Sequence, residues 1–340
     1  MSRTSGAGAA RPEATEATPL RIAIGIGLGV ALLIGLFAAA FLWPITTASP
    51  QRIPVAVVGP DPAVAAIEGQ LNSRNADLFD VTVVADRDAA VRAIETREAL
   101  GAIVVGQPTE ILTTSAGSPQ VAQILTQLAS AINAQAGPRG QPAVTVTDVV
   151  PVGAVGAAAN IILLPVLIGG IASAVLSLVL VRTPVRRFVT LGVAAVVGGL
   201  VGAAVLGPWF DVLEANYWVV SAALAMGILA ISAFIAGLGT LFGRAGLGLG
   251  IILIVLVGNP WAGLFAPREF LIEPIATIGA YMPNGTVVDL LRSINFFPNA
   301  ATGGNWLVLA IWAVVGLLML GIGAALPRDG AAAPASEDTH

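Results

Sequence analysis

The sequence predicts an α-helical polytopic membrane protein with six transmembrane helices and an inserted extracytoplasmic α/β domain between helices one and two. The first observation is composition: of 340 residues, 56% are hydrophobic and only 11% charged, and the mean hydropathy is +0.88. Soluble domains carry about 25% charged residues. The second observation is the layout, in which one apolar span is followed by a long segment of ordinary composition and then by five further apolar spans.

The six apolar spans are each about 20 residues long, and at about 1.5 Å per residue this length crosses a hydrocarbon core of about 30 Å. The first span favours a retained anchor, because a cleaved signal peptide, the alternative, has an apolar region of about 7–15 residues. The predicted spans are 22–43, 160–181, 188–206, 217–241, 247–266 and 306–326. The chain then divides into a disordered cytoplasmic tail (1–20), helix one (21–44), the inserted domain (45–155), the membrane domain (156–327) and a second tail (328–340).

Arginine placement predicts the orientation of these spans. With six spans, the arginines that flank them fall on one side of the membrane, and the positive-inside rule makes that side cytoplasmic. Both termini are therefore expected in the cytoplasm and residues 45–155 outside it. The arginines concerned are Arg3, Arg11, Arg21, Arg182, Arg186, Arg187, Arg244 and Arg328.

The composition also excludes several kinds of chemistry. The chain has no cysteine, its sixteen basic residues are all arginine, and its one histidine is His340. Disulfides, thiol catalysis, a histidine triad, a histidine metal site and a Ser–Lys dyad therefore lack their residues. With a net charge of −4 there is no indication of nucleic-acid binding. The missing lysine and abundant alanine and glycine are typical of a high-GC bacterial genome, so we expect a bacterial plasma membrane protein.

The inserted segment 52–152 alternates strand-like and helix-like patterns. This order, β-α-β-α-β-β-α-β, predicts a small α/β domain with a mostly parallel sheet. It contains no GxGxxG or Walker A pattern. We interpret the turn at 58–61 as a strand end followed by a helix cap, and an anion-binding turn is the alternative. The predicted strands are 53–59, 79–86, 101–106, 110–114 and 143–150, and the predicted helices are 61–75, 88–99 and 118–136.

Two spans carry glycines at the small-xxx-small spacing that permits close helix contact. These are Gly25 with Gly29 in span one, and Gly198 with Gly202 in span three. We expect helix contacts at both, within or between subunits.

The connector between the fifth and sixth spans is apolar but interrupted by four prolines and several charges. Neither of its halves, 268–282 and 285–297, is long enough to cross a bilayer, and a charge at mid-membrane costs about 2.5–3.5 kcal/mol. We therefore predict a re-entrant hairpin at about 267–300 that turns at 282–285, and an ordinary interfacial loop is the alternative. Asp289 and Arg292, at i and i+3, are predicted to pair. The other charged residues are Arg268, Glu269 and Glu273.

The end of the chain carries a recognisable sequence run at about 258–297. An Asn-Pro ends span five, a Pro-x-Gly turn follows, and a Leu-Arg-Ser helix leads to the last span. This run resembles the end of the membrane domain in type-2 ABC exporter permeases of the phage-infection-protein-like branch, which also place a large extracytoplasmic domain after the first span. Asn284 departs from the pattern, where Pro or a small residue is expected. The matching positions are Asn259, Pro260, Pro283, Gly285, Leu291, Arg292 and Ser293.

The resemblance implies a permease that pairs with a second permease copy, identical or paralogous, and with cytoplasmic ABC ATPase subunits. This chain has no phosphate-binding loop, so a partner subunit would hydrolyse ATP, and the chain itself would be no enzyme and bind no cofactor. The ATPase-coupling candidates are Arg182, Pro184, Arg186 and Arg187. The re-entrant hairpin and outer-gate candidates are Asn259, Pro260, Arg268, Glu269, Glu273, Pro283, Gly285, Asp289 and Arg292.

The spans themselves bear on how transport would be driven. No predicted span has Asp, Glu or Arg in its middle, whereas proton-coupled carriers need intramembrane ionisable groups. We therefore expect an ATP-driven exporter permease for a hydrophobic or amphipathic substrate, embedded in the lipid bilayer. The alternative is a membrane-anchored cell-envelope binding or scaffold protein that acts through the inserted domain and its Gln-rich helix.

Overall fold

The computed structural model describes residues 20–74, 78–136, 143–153, 163–210, 212, 215–263 and 267–326. The two predicted tails lie outside these residues, apart from Leu20. Within the described residues, five helices are long and apolar enough to cross a membrane: Leu20–Pro44, Leu163–Leu180, Pro184–Trp209, Tyr217–Trp261 and Gly303–Ala325. The chain is therefore a mostly helical, multi-pass membrane protein, and it also contains a small mixed sheet.

Helix α1 (Leu20–Thr47) leads into the segment that holds this sheet. Its described strands have the order β2-β1-β3-β4-β5, and every neighbouring pair is parallel except β3 and β4, which form an antiparallel hairpin. The element order agrees with the sequence pattern. The elements are β1 (Ile53–Val58), α2 (Asp61–Arg74), β2 (Phe79–Val83), α3 (Arg87–Glu95), β3 (Gly101–Val104), β4 (Thr109–Thr113), α4 (Pro119–Ala136) and β5 (Val144–Asp148).

Successive side chains of a strand point to opposite faces, so each face of the sheet buries its own set of residues. On one face, Val55 and Val57 of β1 pack with Leu125 of α4. On the other face, Ala56 of β1 packs with Ile94 of α3. The helices thus cover both faces, as expected for a sheet with crossover connections.

The remaining helices form the membrane block, in which α7 is the central helix. Two helices end in π-helical turns, at Val205–Trp209 and Leu253–Gly258. The helices are α5 (Leu163–Leu180), α6 (Pro184–Ala204), α7 (Tyr217–Ile252), α8 (Asn259–Trp261), α9 (Ile275–Tyr281), α10 (Pro283–Phe296) and α11 (Gly303–Ala325). The predicted helical half 268–282 is not one helix. It consists of a 3-10 turn at Arg268–Phe270 and of α9, which starts after Pro274. Proline is tolerated at the start of a helix but interrupts one in its interior.

Helix α7 doubles back on itself at Gly243, which has φ +64° and ψ −140°. A Cβ at Gly250 would lie 3.2 Å from the Cα of Ile235, although 15 residues of straight helix would separate these positions by about 22 Å. The residues before and after Gly243 are therefore two antiparallel helices. The turn falls between the predicted spans 217–241 and 247–266.

Glycines allow the close packing of α6 on α7. A Cβ at Gly198 would lie 2.9 Å from the Ile228 side chain, and one at Gly202 would lie 3.1 Å from Leu224. The predicted contact in this span is confirmed. In α1 a Cβ at Gly25 or Gly29 would meet no described atom within 4 Å, so the contact predicted there is not made among the described residues.

The block has two distinct ends. Leu178 at the end of α5 packs beside Gly239 and Leu247, and the side chain of Phe188 lies 3.8 Å from a Cβ at Gly321. The α5–α6 loop, the Gly243 turn and the end of α11 therefore share one end, which we call the arginine end for Arg182, Arg186, Arg187 and Arg244. At the opposite end, the domain end, Ala48 beyond α1 packs with Leu271 and Ile275.

Candidate functional site

The carboxylate of Asp289, on α10, joins three separate parts of the chain at the domain end. Arg97 of the sheet segment donates from Nη2 to Oδ1 at 2.8 Å. Asn305 of α11 donates to Oδ2 at 3.0 Å, and Arg268 lies 3.8 Å from the same oxygen. Arg97 also donates to the Ser293 hydroxyl, one turn further along α10. The sheet segment, the connector and α11 are thereby held to one helix.

The backbone at the end of α3 places Arg97 at this junction. Arg97 has φ +65°, and its N–H donates to the carbonyl of Ile94 at 3.0 Å. This left-handed conformation at a helix end usually requires glycine or asparagine. The guanidinium carbon lies 5.4 Å from the centroid of the Phe297 ring, within cation–π range. The Arg97 side chain is therefore held by its ion pair with Asp289 and by the Phe297 ring, which lies against the guanidinium.

The Asp289 carboxyl is ionised at neutral pH. Burial by itself raises its pKa, but the charges of Arg268 and Arg97 and the hydrogen bonds from Arg97 and Asn305 outweigh burial and lower the pKa to about 2. Burial lowers the pKa of Arg292, and the nearby charge of Arg97 lowers it further. Like charges therefore stand close together around one carboxylate.

A cavity of about 120 Å³ opens at this junction, between the sheet segment and α10. We call it the junction cavity. Its charged lining consists of Arg97, Arg268, Arg292, Glu269 and Asp289, and the segment 117–120 at the start of α4 forms another wall.

A second connection joins the sheet segment to the connector. The backbone N–H groups of Ser49 and Gln51 donate to the carbonyls of Phe270 and Glu269 at 3.1 and 3.0 Å. Phe270 packs both against the core of the sheet and against Leu271. The chain that leaves α1 is therefore held to the connector by its backbone as well as by side chains.

Beneath this junction, the start of α10 packs against the π-helical segment that precedes α8. The side-chain amide of Asn284 is fully buried and donates to the carbonyl of Ile254 at 3.0 Å and to Oδ1 of Asn259 at 3.1 Å. A π-helical insertion disturbs the regular hydrogen-bond ladder, so Asn284 supplies a donor to this segment. This contact gives a physical reason for asparagine at the position where the sequence departs from the permease pattern.

Several predicted hairpin residues support the backbone. Pro283 is the first residue of α10, where its missing N–H is no loss. A Cβ at Gly285 would lie 3.3 Å from the Cα of Ala262, and Pro260 is buried in α8. Glu273 accepts from the hydroxyl of Thr277 at 2.8 Å and stays near the start of α9. Arg268 also donates to the carbonyl of Gly285 at 3.4 Å.

The ATPase-coupling candidates lie at the arginine end, away from Asp289. Arg187 donates from Nε to the carbonyl of Val181 at 2.9 Å and so closes the end of α5. Pro184 begins α6, and the side chains of Arg182 and Arg186 are exposed. Arg187 therefore has a structural contact, whereas Arg182 and Arg186 present charge at the surface.

The sequence alone does not identify two residues of this junction, Arg97 and Asn305. Arg97 lies 192 residues from Asp289, and a single sequence contains no signal for a pair at that separation. Asn305 stands in the first turn of α11, where the apolar pattern marks only the helix. Among the described residues, no group of three or more His, Cys, Asp and Glu side chains is placed to hold a metal ion.

Comparison with family models, curated proteins and solved structures finds no match to this chain. The resemblance to exporter permeases therefore stays a prediction from the sequence.

Proposed function

We propose that this chain is the membrane-spanning permease subunit of an ATP-driven, ABC-type exporter, with the ATPase on a separate subunit. In this proposal α7 crosses the membrane twice, before and after Gly243, which gives six crossings. The arginine end, with both termini, faces the bacterial cytoplasm, and the sheet segment is the extracytoplasmic domain. The re-entrant hairpin is formed by the connector and α10.

The observation that carries the proposal is the distribution of charge along the candidate spans. The five spans contain no Asp or Glu, and the arginines within them, Arg21, Arg186, Arg187 and Arg244, lie at helix ends or at the Gly243 turn. Proton-coupled transport uses ionisable groups inside the membrane. A transporter built from these spans would need an external source of energy, which a partner ATPase supplies.

Two features of the membrane block support a transport role. The exposed Arg182, Arg186 and Arg244 lie at the same end of the membrane block, and a basic surface there would suit a cytoplasmic partner. An apolar cavity of about 310 Å³ lies between α5, α6 and α7, and Pro165 and Val201 are among its lining residues. Its lining suits a hydrophobic or amphipathic substrate, since apolar surface favours apolar groups.

The contacts of Asp289 support a role for the domain in transport. They join the sheet segment to α10, so a movement of α10 during transport would be transmitted to the domain outside the membrane. Such coupling requires an element that can adopt two arrangements, with an equilibrium that both the domain and the membrane block can shift. In the proposal, the hairpin is this element.

Purification of the tagged full chain in mild detergent from its native host tests the proposal. We expect an ABC ATPase in stoichiometric amount, and ATP-dependent export of a lipophilic dye from cells that express both subunits. Replacement of both Arg182 and Arg186 by Gln should reduce recovery of the ATPase, whereas Arg92→Gln, an exposed arginine of α3, should leave it unchanged. Recovery of an envelope protein with no ATPase would instead favour the binding or scaffold function.

A further inference from the structure

We infer that the junction cavity is a binding site for a phosphate-sized anion. This site is independent of whether the chain exports a substrate. The argument depends on the charge of the lining, on the start of α4 and on the size and position of the cavity.

The charge of the lining is positive. Three guanidinium groups, those of Arg97, Arg268 and Arg292, line the cavity with only two carboxylates, those of Glu269 and Asp289. Asp289 is already bonded to Arg97 and lies 3.8 Å from Arg268. Like charges this close repel one another most strongly where they are shielded from water. An anion in the cavity would relieve that repulsion.

The guanidinium of Arg97 reaches the junction through its two terminal nitrogens. They donate to the Asp289 carboxylate and to the Ser293 hydroxyl, whereas Nε is enclosed by the protein. Guanidinium groups bind phosphate oxygens through paired N–H donors, and residues with three such groups line the cavity.

The start of α4 forms another part of the cavity wall. Ser118, Pro119 and Gln120 line the cavity, and the helix continues for 18 residues to Ala136. The N-terminus of a helix carries a partial positive charge and favours anions within its first turn. The hydroxyl oxygen of Ser118 accepts from the N–H of Val121 at 3.3 Å and so caps the helix. The arginines and the helix N-terminus therefore favour the same charge in one cavity.

The size and position of the cavity suit a phosphate group. Its volume of about 120 Å³ is several times the roughly 10–15 Å³ that a single water requires. The cavity lies at the domain end, where the candidate spans finish and where lipid headgroups would surround the chain. A phosphate group can reach this end of the block as part of an anionic phospholipid or as free phosphate. Both sources present the same phosphate oxygens to the cavity.

The experiment uses the purified full chain and two probes. Inorganic phosphate is titrated calorimetrically into protein in a neutral detergent, and phosphatidylglycerol retained from nanodiscs is counted by native mass spectrometry, with phosphatidylcholine nanodiscs for comparison. Binding of inorganic phosphate supports a site open to soluble phosphate. Selective retention of phosphatidylglycerol supports a headgroup site. Failure of the wild-type chain to bind either probe overturns the inference.

Gln120→Glu is the decisive variant, because it adds a negative charge at the cavity without removing an ion pair. Glu is favourable in a first helical turn, so the fold is retained, and we expect roughly tenfold weaker binding from the added repulsion. Gln127→Glu is the matched control, about 10 Å further along α4, and should bind as the wild type does. Arg268→Gln should also weaken binding. Wild-type affinity in both Gln120→Glu and Arg268→Gln would contradict the inference.

Discussion

Arg97 and Asp289 form an ion pair of 2.8 Å between side chains that are 21% and 17% exposed. One belongs to the sheet segment and the other to α10, so the pair spans the boundary between the two parts of the molecule. Its geometry explains why α10 carries an acid, although the other described helices of the membrane block contain none.

Asp289→Asn should destabilise the protein strongly. Removal of one partner of a largely buried pair leaves an uncompensated charge and costs about 3 kcal/mol. Unfolding in mixed micelles, followed by tryptophan fluorescence, measures the loss. The control is Glu110→Gln, which breaks the more exposed pair with Arg87 and should cost about 1 kcal/mol or less. Equal losses in the two variants would show that the Asp289 pair has no special weight.

The same carboxyl predicts a dependence of stability on pH. Its folded pKa is about 2, below the ordinary value of 3.8, so its contribution is fully present above about pH 4 and is lost as the pH falls towards 2. The shift corresponds to about 2 kcal/mol. Unfolding measured at a series of pH values should show this loss in the wild type. In Asp289→Asn that part of the slope should disappear, and an unchanged slope would contradict the assignment.

The left-handed backbone of Arg97 predicts a second-site rescue. A residue with a side chain is destabilised by about 1 kcal/mol at φ +65°, whereas glycine is not. In the Asp289→Asn background the Arg97 charge has lost its main partner, so Arg97→Gly should restore about 1 kcal/mol of stability. Arg92→Gly, within α3, should instead destabilise that background by a similar amount because glycine is unfavourable inside a helix.

The turn of α7 requires glycine at position 243. Its φ of +64° and ψ of −140° fall in a region that other residues adopt only at about 1–3 kcal/mol. Gly243→Ala should therefore lower the midpoint of unfolding. Gly248→Ala is the control, since a Cβ there meets no described atom within 4 Å and alanine favours a helix. A neutral Gly243→Ala would argue against the tight turn.

The local features of the fold could be predicted from the sequence, because apolar runs and strand patterns are local signals. The interruption at Gly243 and Arg244 separates two apolar runs, and the structure turns there. The five strands of the sheet likewise lie where alternation and turns indicate them. By contrast, α1 is apolar throughout, so its sequence does not indicate which face meets another helix, and no residue of it before Pro44 is buried.

The contacts of the candidate site could not be predicted, because they depend on tertiary structure. The spacing of Asp289 and Arg292 indicated an i,i+3 pair, whereas the structure adds Arg97 and Arg268 as partners of Asp289. Periodicity also extended one helix through Pro274, although the structure begins α9 only after it. The charged residues of the connector can therefore be recognised in the sequence, whereas Arg97 as a partner of Asp289 cannot.

The Asn284 side chain is predicted to stabilise the fold, because it links α10 to the π-helical segment of the membrane block. Asn284→Ala removes the donor to the Ile254 carbonyl and leaves a cavity in a fully buried position. An unsatisfied buried acceptor costs about 1–3 kcal/mol, so the variant should unfold earlier in mixed micelles. Asn299→Ala, at an exposed position after α10, is the control. It removes only a solvent-exposed hydrogen bond of 3.4 Å to Glu95 and should change stability by less than about 0.5 kcal/mol. If the two variants are equally stable, the Asn284 amide does not hold α10 to this segment.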